Sequence, residues 1–166
     1  MGRLLLALAL ALALLPAAAG AAPAAPGFKV RLLDGLGTVD SRELIGKKIL
    51  VLRFQASYCK VCAAESAALG ELAARYRPRG VQVLALFVQD TTADVRRFVA
   101  AQRVTYDVAL DPRLAVGNRF GFKGTPYTVV VDLRGEMVAR IHGASALRRL
   151  PRVLDETLAR GTRRTR

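Results

Sequence analysis

The sequence predicts an α/β domain built around a mixed sheet. Short apolar runs alternate along the chain with amphipathic stretches of helical period, and the last two apolar runs are close enough to form a hairpin. With 166 residues, 52% of them hydrophobic, the chain is long enough to bury one core and too apolar to be disordered. Its two cysteines and one histidine exclude a disulfide-dense scaffold, a four-cysteine metal centre and a three-histidine zinc site.

The elements expected in the first half are a β-hairpin within 28–39, a buried strand over Ile49–Phe54 and a helix over Cys62–Arg77. The hairpin is indicated by two short segments joined through Asp34-Gly35, a turn-forming pair. The helix is indicated by apolar residues at helical spacing from Leu69 to Tyr76, and Pro78 is expected to end it.

Four strands are expected in the second half, at Val81–Val88, Tyr106–Leu110, Tyr127–Val131 and Met137–His142. A helix that begins after Thr91 and a helical turn near Arg113–Phe120 are expected between them. A final helix is indicated by four leucines on one stripe: Leu147, Leu150, Leu154 and Leu158. Thr91 followed three positions later by Asp94 is typical of a capped helix start. Pro151 lies inside the final helical pattern and marks either the true start of that helix or a kink.

The first 21 residues are typical of a secretory signal peptide. Arg3 supplies positive charge, Leu4–Leu15 is an unbroken Leu/Ala run, and Ala17–Ala22 offers small residues at cleavage spacing. The run is short for a membrane span, which needs about 20 residues, but an uncleaved anchor stays open. We expect a signal peptide at 1–21, a linker at 22–27, one domain at 28–160, a basic tail at 161–166, and a periplasmic or other extracytoplasmic location.

The net charge of +13 does not predict a nucleic-acid-binding protein. The basic residues are spread along the chain, aromatic residues make up 6%, and there is no Trp. An Arg-rich soluble surface is the simplest interpretation. Proximity to a membrane is expected only if the leader is retained.

The most informative motif is a pair of cysteines, Cys59 and Cys62, placed where a buried strand gives way to a helix. The unpaired N–H groups and dipole of a helix N-terminus stabilise a thiolate, and Lys60 acts in the same direction. Cys59, at the exposed turn, is therefore predicted to attack a substrate disulfide, and Cys62 to resolve the mixed disulfide.

Three other interpretations of the cysteines compete with this one, and the weakest is two inert buried thiols, because disulfides form and persist in exported proteins. A purely structural disulfide would close a four-residue ring, which stabilises the fold by only about 2 kcal/mol. A copper or zinc site would need Cys59, Cys62 and His142, but His142 is placed on the polar face of its strand. We therefore expect no bound metal.

Glu65, three positions after Cys62, falls on or beside the inward stripe of the helix. A partly desolvated carboxylate there would have a raised pKa and would exchange a proton with Cys62. The competing interpretation is a first-turn glutamate that merely favours the helix dipole. Arg53, in the preceding strand, is expected either to pair with Glu65 or to lie near the cysteines.

These residues together resemble the thioredoxin-fold superfamily, and within it the TlpA-like exported disulfide reductases. The resemblance covers about 28–159 and rests on the segment from Ala56 to Glu65 and on Gly124-Thr125-Pro126. It implies a thioredoxin fold with an N-terminal β-hairpin extension and a cis-proline loop facing the cysteines. It also implies roles: Cys59 as nucleophile, Cys62 as resolving cysteine, Glu65 as a tuning residue, and Tyr58, Thr125 and Pro126 as substrate-binding residues.

The resemblance implies protein thiol or disulfide substrates, an upstream thiol electron donor, a monomeric state and no cofactor beyond the dithiol. Tyr58 and Gln55 replace the family's usual tryptophans, and Lys60-Val61 lacks the usual proline, which leaves the redox direction open. Two alternatives remain. A peroxiredoxin-like peroxidase needs Thr or Ser where Ala56 stands, and a Sco-like copper chaperone has three residues between its cysteines.

Overall fold

Residues 22–163 are the part of the chain that the computed structural model describes. Five strands form a mixed sheet in the order β5-β4-β3-β6-β7. These strands are β3 (Ile49–Gln55), β4 (Val81–Val88), β5 (Asp107–Asp111), β6 (Tyr127–Val131) and β7 (Met137–His142). The central strand, β3, is buried along its whole length because sheet neighbours lie on both sides of it and apolar layers on both faces.

Strand direction brings the ends of several strands to one edge of the sheet. β3, β4 and β5 run parallel, whereas β6 is antiparallel to β3. The carboxyl ends of the first three strands therefore meet the amino end of β6 at a single edge, where ligand and catalytic sites of such sheets are commonly found. The segment after β3 is the one that carries both cysteines.

The helices are α1 (Ser41–Leu44), α2 (Lys60–Tyr76), α3 (Thr92–Ala101) and α4 (Ala146–Arg163). Apolar residues of the three long helices belong to one cluster that contains Ile49 and Val51 of β3. The opposite face of the sheet is covered mainly by the N-terminal hairpin and by the turn at Gly117–Phe120. The predicted mixed sheet flanked by helices is therefore confirmed.

The predicted hairpin is formed by β1 (Lys29–Arg31) and β2 (Thr38–Asp40), which pair antiparallel. It is fastened to the sheet edge through the backbone, because the Leu33 N–H donates to the Val108 carbonyl at 2.8 Å. The segment 22–27, expected as a linker, also contacts the domain: the Ala25 N–H donates to the carbonyl of Gly135 at 2.7 Å.

Several predicted boundaries coincide with the structure, whereas β3 ends one residue later than predicted, at Gln55, and β5 (Asp107–Asp111) is shifted by one residue. β4, β6 and β7 have the predicted limits, whereas α2 begins two residues early, at Lys60. Pro151 lies within α4, which begins at Ala146, so it does not mark the helix start. The short helix α1 was not predicted.

The expected signal peptide at 1–21 lies outside the described residues, as do the last three residues of the expected basic tail. Within residues 22–163, no helix is both long enough and apolar enough to cross a bilayer.

Candidate active site

Cys59 and Cys62 form a disulfide at the amino end of α2. Cys59 caps the helix, since its Sγ accepts a hydrogen bond of 3.1 Å from the backbone N–H of Cys62. The two Cα atoms lie 5.2 Å apart, a normal separation for a disulfide. The predicted pairing is thus present, and its capping sulfur lies at the positive end of the helix dipole.

The two sulfurs differ in their access to solvent. Cys59 is 9% exposed and Cys62 is 1% exposed. Beside them, Tyr58 is 65% exposed and Val61 is 41% exposed, which is unusual for large apolar side chains. A partner molecule approaching this edge therefore meets an apolar rim next to Cys59, while Cys62 is shielded.

The turn that presents Cys59 is anchored by Asp90, a residue that the sequence reasoning did not single out. Its carboxylate accepts two hydrogen bonds from Ser57, one from the backbone N–H at 2.8 Å and one from the hydroxyl at 2.6 Å. Asp90 follows β4, whose carboxyl end lies beside that of β3. The parallel order of these strands was the only signal for this contact, because no local motif joins residues 33 positions apart.

Arg53 lies in the middle of β3 and is 1% exposed. Its Nη1 donates to Thr128 Oγ1 on β6 at 3.1 Å, and its Nη2 forms an ion pair with Glu65 Oε2 on α2. The pairing with Glu65 is one of the two placements that the sequence left open. The Glu65 carboxylate is therefore partnered by a guanidinium rather than surrounded by apolar groups alone.

Thr125 and Pro126 lie directly before β6, and the peptide bond between them is cis. Tyr127 pairs with Phe54, so Pro126 lies beside the end of β3, where the cysteine turn begins. The Pro126 carbonyl accepts a hydrogen bond of 2.8 Å from the Gly143 N–H. Thr125 lies beyond the last paired residues of β3 and β6.

His142 is exposed at the end of β7 and stacks on the Tyr127 ring, with centroids 4.3 Å apart. Burial raises the pKa of the Tyr127 phenol above its ordinary value, although nearby Arg140 acts in the opposite direction. Among residues 22–163, no three His, Cys, Asp or Glu side chains come together as a group able to hold a metal ion. The structure therefore places His142 in an aromatic stack.

A disulfide at the first turn of a helix, between a buried strand and a cis-proline loop, defines the thioredoxin-fold class of dithiol proteins. Comparison with known proteins agrees with this class. The chain belongs to the AhpC/TSA family, whose pattern matches residues 22–140.

Among curated relatives, the chain is 30% identical over 119 residues to the thiol-disulfide oxidoreductase ResA of Bacillus anthracis, covering 72% of this chain and 68% of that one. The expected activity class, a thiol-disulfide oxidoreductase, is thereby confirmed.

Solved structures confirm the fold. A thioredoxin-family thiol:disulfide interchange protein from Chlorobium tepidum TLS aligns with a TM-score of 0.75 and 22% identity, over 85% of this chain and 99% of that one. A secreted Mycobacterium tuberculosis disulfide oxidoreductase, described as homologous to E. coli DsbE, aligns with a TM-score of 0.67 and 22% identity, over 77% of this chain and 95% of that one. The predicted thioredoxin fold is thus confirmed.

Proposed function

We propose that this protein is an extracytoplasmic disulfide reductase in which Cys59 is the nucleophile and Cys62 the resolving cysteine. The observation that carries this assignment is the unequal burial of the two cysteines: Cys59, 9% exposed, caps the helix beside the exposed Tyr58 and Val61, whereas Cys62 is 1% exposed. Only the outer sulfur is placed to meet a bulky protein disulfide. The inner one is placed to attack it afterwards.

The proposed cycle starts from the dithiol form. The Cys59 thiolate attacks one sulfur of the substrate disulfide, forming a mixed disulfide and releasing the other substrate sulfur as a thiolate. Cys62, after losing its proton, attacks Cys59 Sγ and releases the second substrate thiolate. Two electrons have then passed to the substrate and the Cys59–Cys62 disulfide remains. An upstream thiol donor restores the dithiol, and no cofactor besides this pair is involved.

Glu65 is proposed as the group that exchanges a proton with Cys62. It lies one helical turn after Cys62 on α2, and its side chain is partly accessible to solvent. Such a carboxylate is suited to pass a proton between a covered thiol and water. Its ion pair with Arg53 fixes the position from which it acts.

Substrate binding is assigned to the exposed Tyr58, the half-buried Thr125 and the buried Pro126. The exposed Tyr58 ring offers apolar contact area next to Cys59. The backbone of Thr125 lies beyond the β3–β6 ladder, so it is suited to pair with an extended substrate segment. The expected substrates are therefore protein disulfides in flexible or unfolded segments.

Export is proposed from the leader-like residues 1–21, and a secreted relative of the same fold agrees with it. Membrane proximity follows only if the leader is retained. We further propose a monomer that binds no metal and no nucleic acid, with its partners limited to protein thiols and a thiol donor.

The decisive assay is reduction of insulin in the presence of dithiothreitol. The protein should accelerate insulin precipitation and Cys59→Ser should abolish that acceleration, while Cys62→Ser should accumulate a mixed disulfide. Values near −270 mV for the Cys59/Cys62 couple agree with a reductase, and values near −120 mV indicate an oxidant. Rapid peroxide consumption without insulin reduction would instead favour a peroxidase.

A further inference from the structure

The buried face of β3 becomes polar where it approaches the disulfide. Ile49 and Val51 lie on this face, and the next two residues that share it are Arg53 and Gln55. Both polar residues are 1% exposed, and α2 covers this face of the sheet. Among the described side chains, Arg53 is the only buried basic residue.

Two hydrogen-bond donors on this face lack an acceptor. Within residues 22–163, neither Arg53 Nε nor Gln55 Nε2 has a hydrogen-bond partner. Leaving a buried donor unsatisfied is unfavourable, so each such group calls for an explanation. In the disulfide state the redox pair is uncharged and offers only divalent sulfur, a weak acceptor, whereas the reduced pair carries the negative charge of the Cys59 thiolate.

The position of Cys62 connects these donors to the redox pair. Cys62 is the first inward-facing residue of α2, and Glu65, which binds Arg53, lies one helical turn further along. The guanidinium is thus held against the first two turns of α2, the helix that begins with the cysteines, by its bonds to Glu65 and Thr128. Of the other charged groups around the turn, Lys60 is exposed and Asp90 is bound to Ser57, on the Cys59 side.

We propose that Arg53 is a positioning residue for the dithiol, which stabilises the negatively charged reduced form by holding a buried positive charge against the helix that carries the cysteines. Glu65 limits this effect by neutralising part of that charge. Stabilising the reduced form makes the couple a weaker reductant, since the electrons leave the dithiol less readily. The inference rests on the dithiol role proposed above but not on the direction in which the cycle runs.

The test is the equilibrium of the protein with glutathione at pH 8, where two glutathione thiols give glutathione disulfide and reduce Cys59–Cys62. We expect Arg53→Met to lower the equilibrium constant for protein reduction about tenfold, equivalent to about 30 mV. Glu65→Gln should raise it, because the guanidinium is no longer neutralised. Arg53→Lys should stay close to the unchanged protein because it keeps the charge.

Opposite shifts for the two partners of one ion pair separate this proposal from a structural role. If the pair only held α2 against β3, removing either partner would weaken folding and leave both redox equilibria unchanged or shift them alike. Either result would overturn the proposal. The circular dichroism spectrum of each variant checks that it is folded, and Glu65→Gln tests the idea even if Arg53→Met does not fold.

No protein substrate takes part in this equilibrium. A failure of insulin reduction therefore bears on the proposed function, and a failure of the opposite shifts bears on Arg53 alone.

Discussion

The two faces of β3 differ in composition: one is apolar throughout, and the other ends in two buried polar residues. One face carries Leu50, Leu52 and Phe54, and the other carries Ile49, Val51, Arg53 and Gln55. The first face is apolar to its end, where Phe54 packs against Phe120 and stacks on Tyr127 with centroids 5.7 Å apart. The second face becomes polar at Arg53 and Gln55, the last two of its residues before the turn that leads to the cysteines. We therefore expect substitutions on the first face to change mainly the stability of the domain, and substitutions on the second face to change mainly the redox equilibrium.

The largest effect is expected on the apolar face. Phe54→Ala should lower the free energy of unfolding by about 3–5 kcal/mol, because the ring is fully buried among aromatic neighbours. The redox equilibrium with glutathione should change less than twofold in the folded variant. Urea unfolding and the glutathione equilibrium measure the two quantities, and Phe54→Leu, with a smaller cavity, is the matched control. A tenfold change in the glutathione equilibrium constant of Phe54→Ala would show that the apolar face also controls the redox equilibrium.

A second test addresses the anchor of the cysteine turn. Asp90→Ala removes the acceptor of two hydrogen bonds from Ser57 and should lower the free energy of unfolding by about 1.5–3 kcal/mol. Alkylation of Cys59 by iodoacetamide, measured with Cys62→Ser in the background, should become faster because a nearby negative charge that disfavours the thiolate is gone. Asp90→Asn keeps an oxygen acceptor and should show the faster alkylation with a smaller loss of stability. Unchanged alkylation in both variants would mean that Asp90 acts on the turn's geometry alone.

The sequence predicted the elements better than the contacts between them. β4 and β6 were found at their true limits because Gly80 and Pro126 punctuate unbroken apolar runs. The start of α2 was predicted two residues late, since no local pattern indicates that a cysteine sulfur caps the helix. The four residues of α1 are too few to show a helical period.

The residues of the site could be predicted from the sequence, whereas most of the contacts between them could not. The spacing of Cys59 and Cys62 indicates their bond, but the bond between Arg53 and Thr128 joins residues 75 positions apart. That contact depends on the register of β3 against β6, which no local pattern reveals. The sequence could not decide whether Glu65 pairs with Arg53, because that contact also joins different elements of the fold.

The disulfide itself should contribute modestly to stability. Replacing both cysteines by serine should lower the free energy of unfolding by about 2 kcal/mol relative to the oxidised protein, because the bond closes only a four-residue ring. The reduced protein with both cysteines present is the matched reference and should be nearly as stable as the double variant. A loss above about 5 kcal/mol would support a structural rather than a redox role for the pair.

The smallest expected change in stability, and the sharpest contrast with Phe54, comes from Gln55→Leu. This substitution removes a buried donor that lacks an acceptor in the disulfide form, so the oxidised variant should gain about 1 kcal/mol in the free energy of unfolding. The same change should lower the equilibrium constant for reduction by glutathione at least about fivefold, because a gain of about 1 kcal/mol in the oxidised form alone equals a factor of about five. Gln55→Glu, which adds a negative charge at this position, should lower it further. A variant that gained stability with an unaltered redox equilibrium would show that the polar end of β3 serves a purpose other than the dithiol.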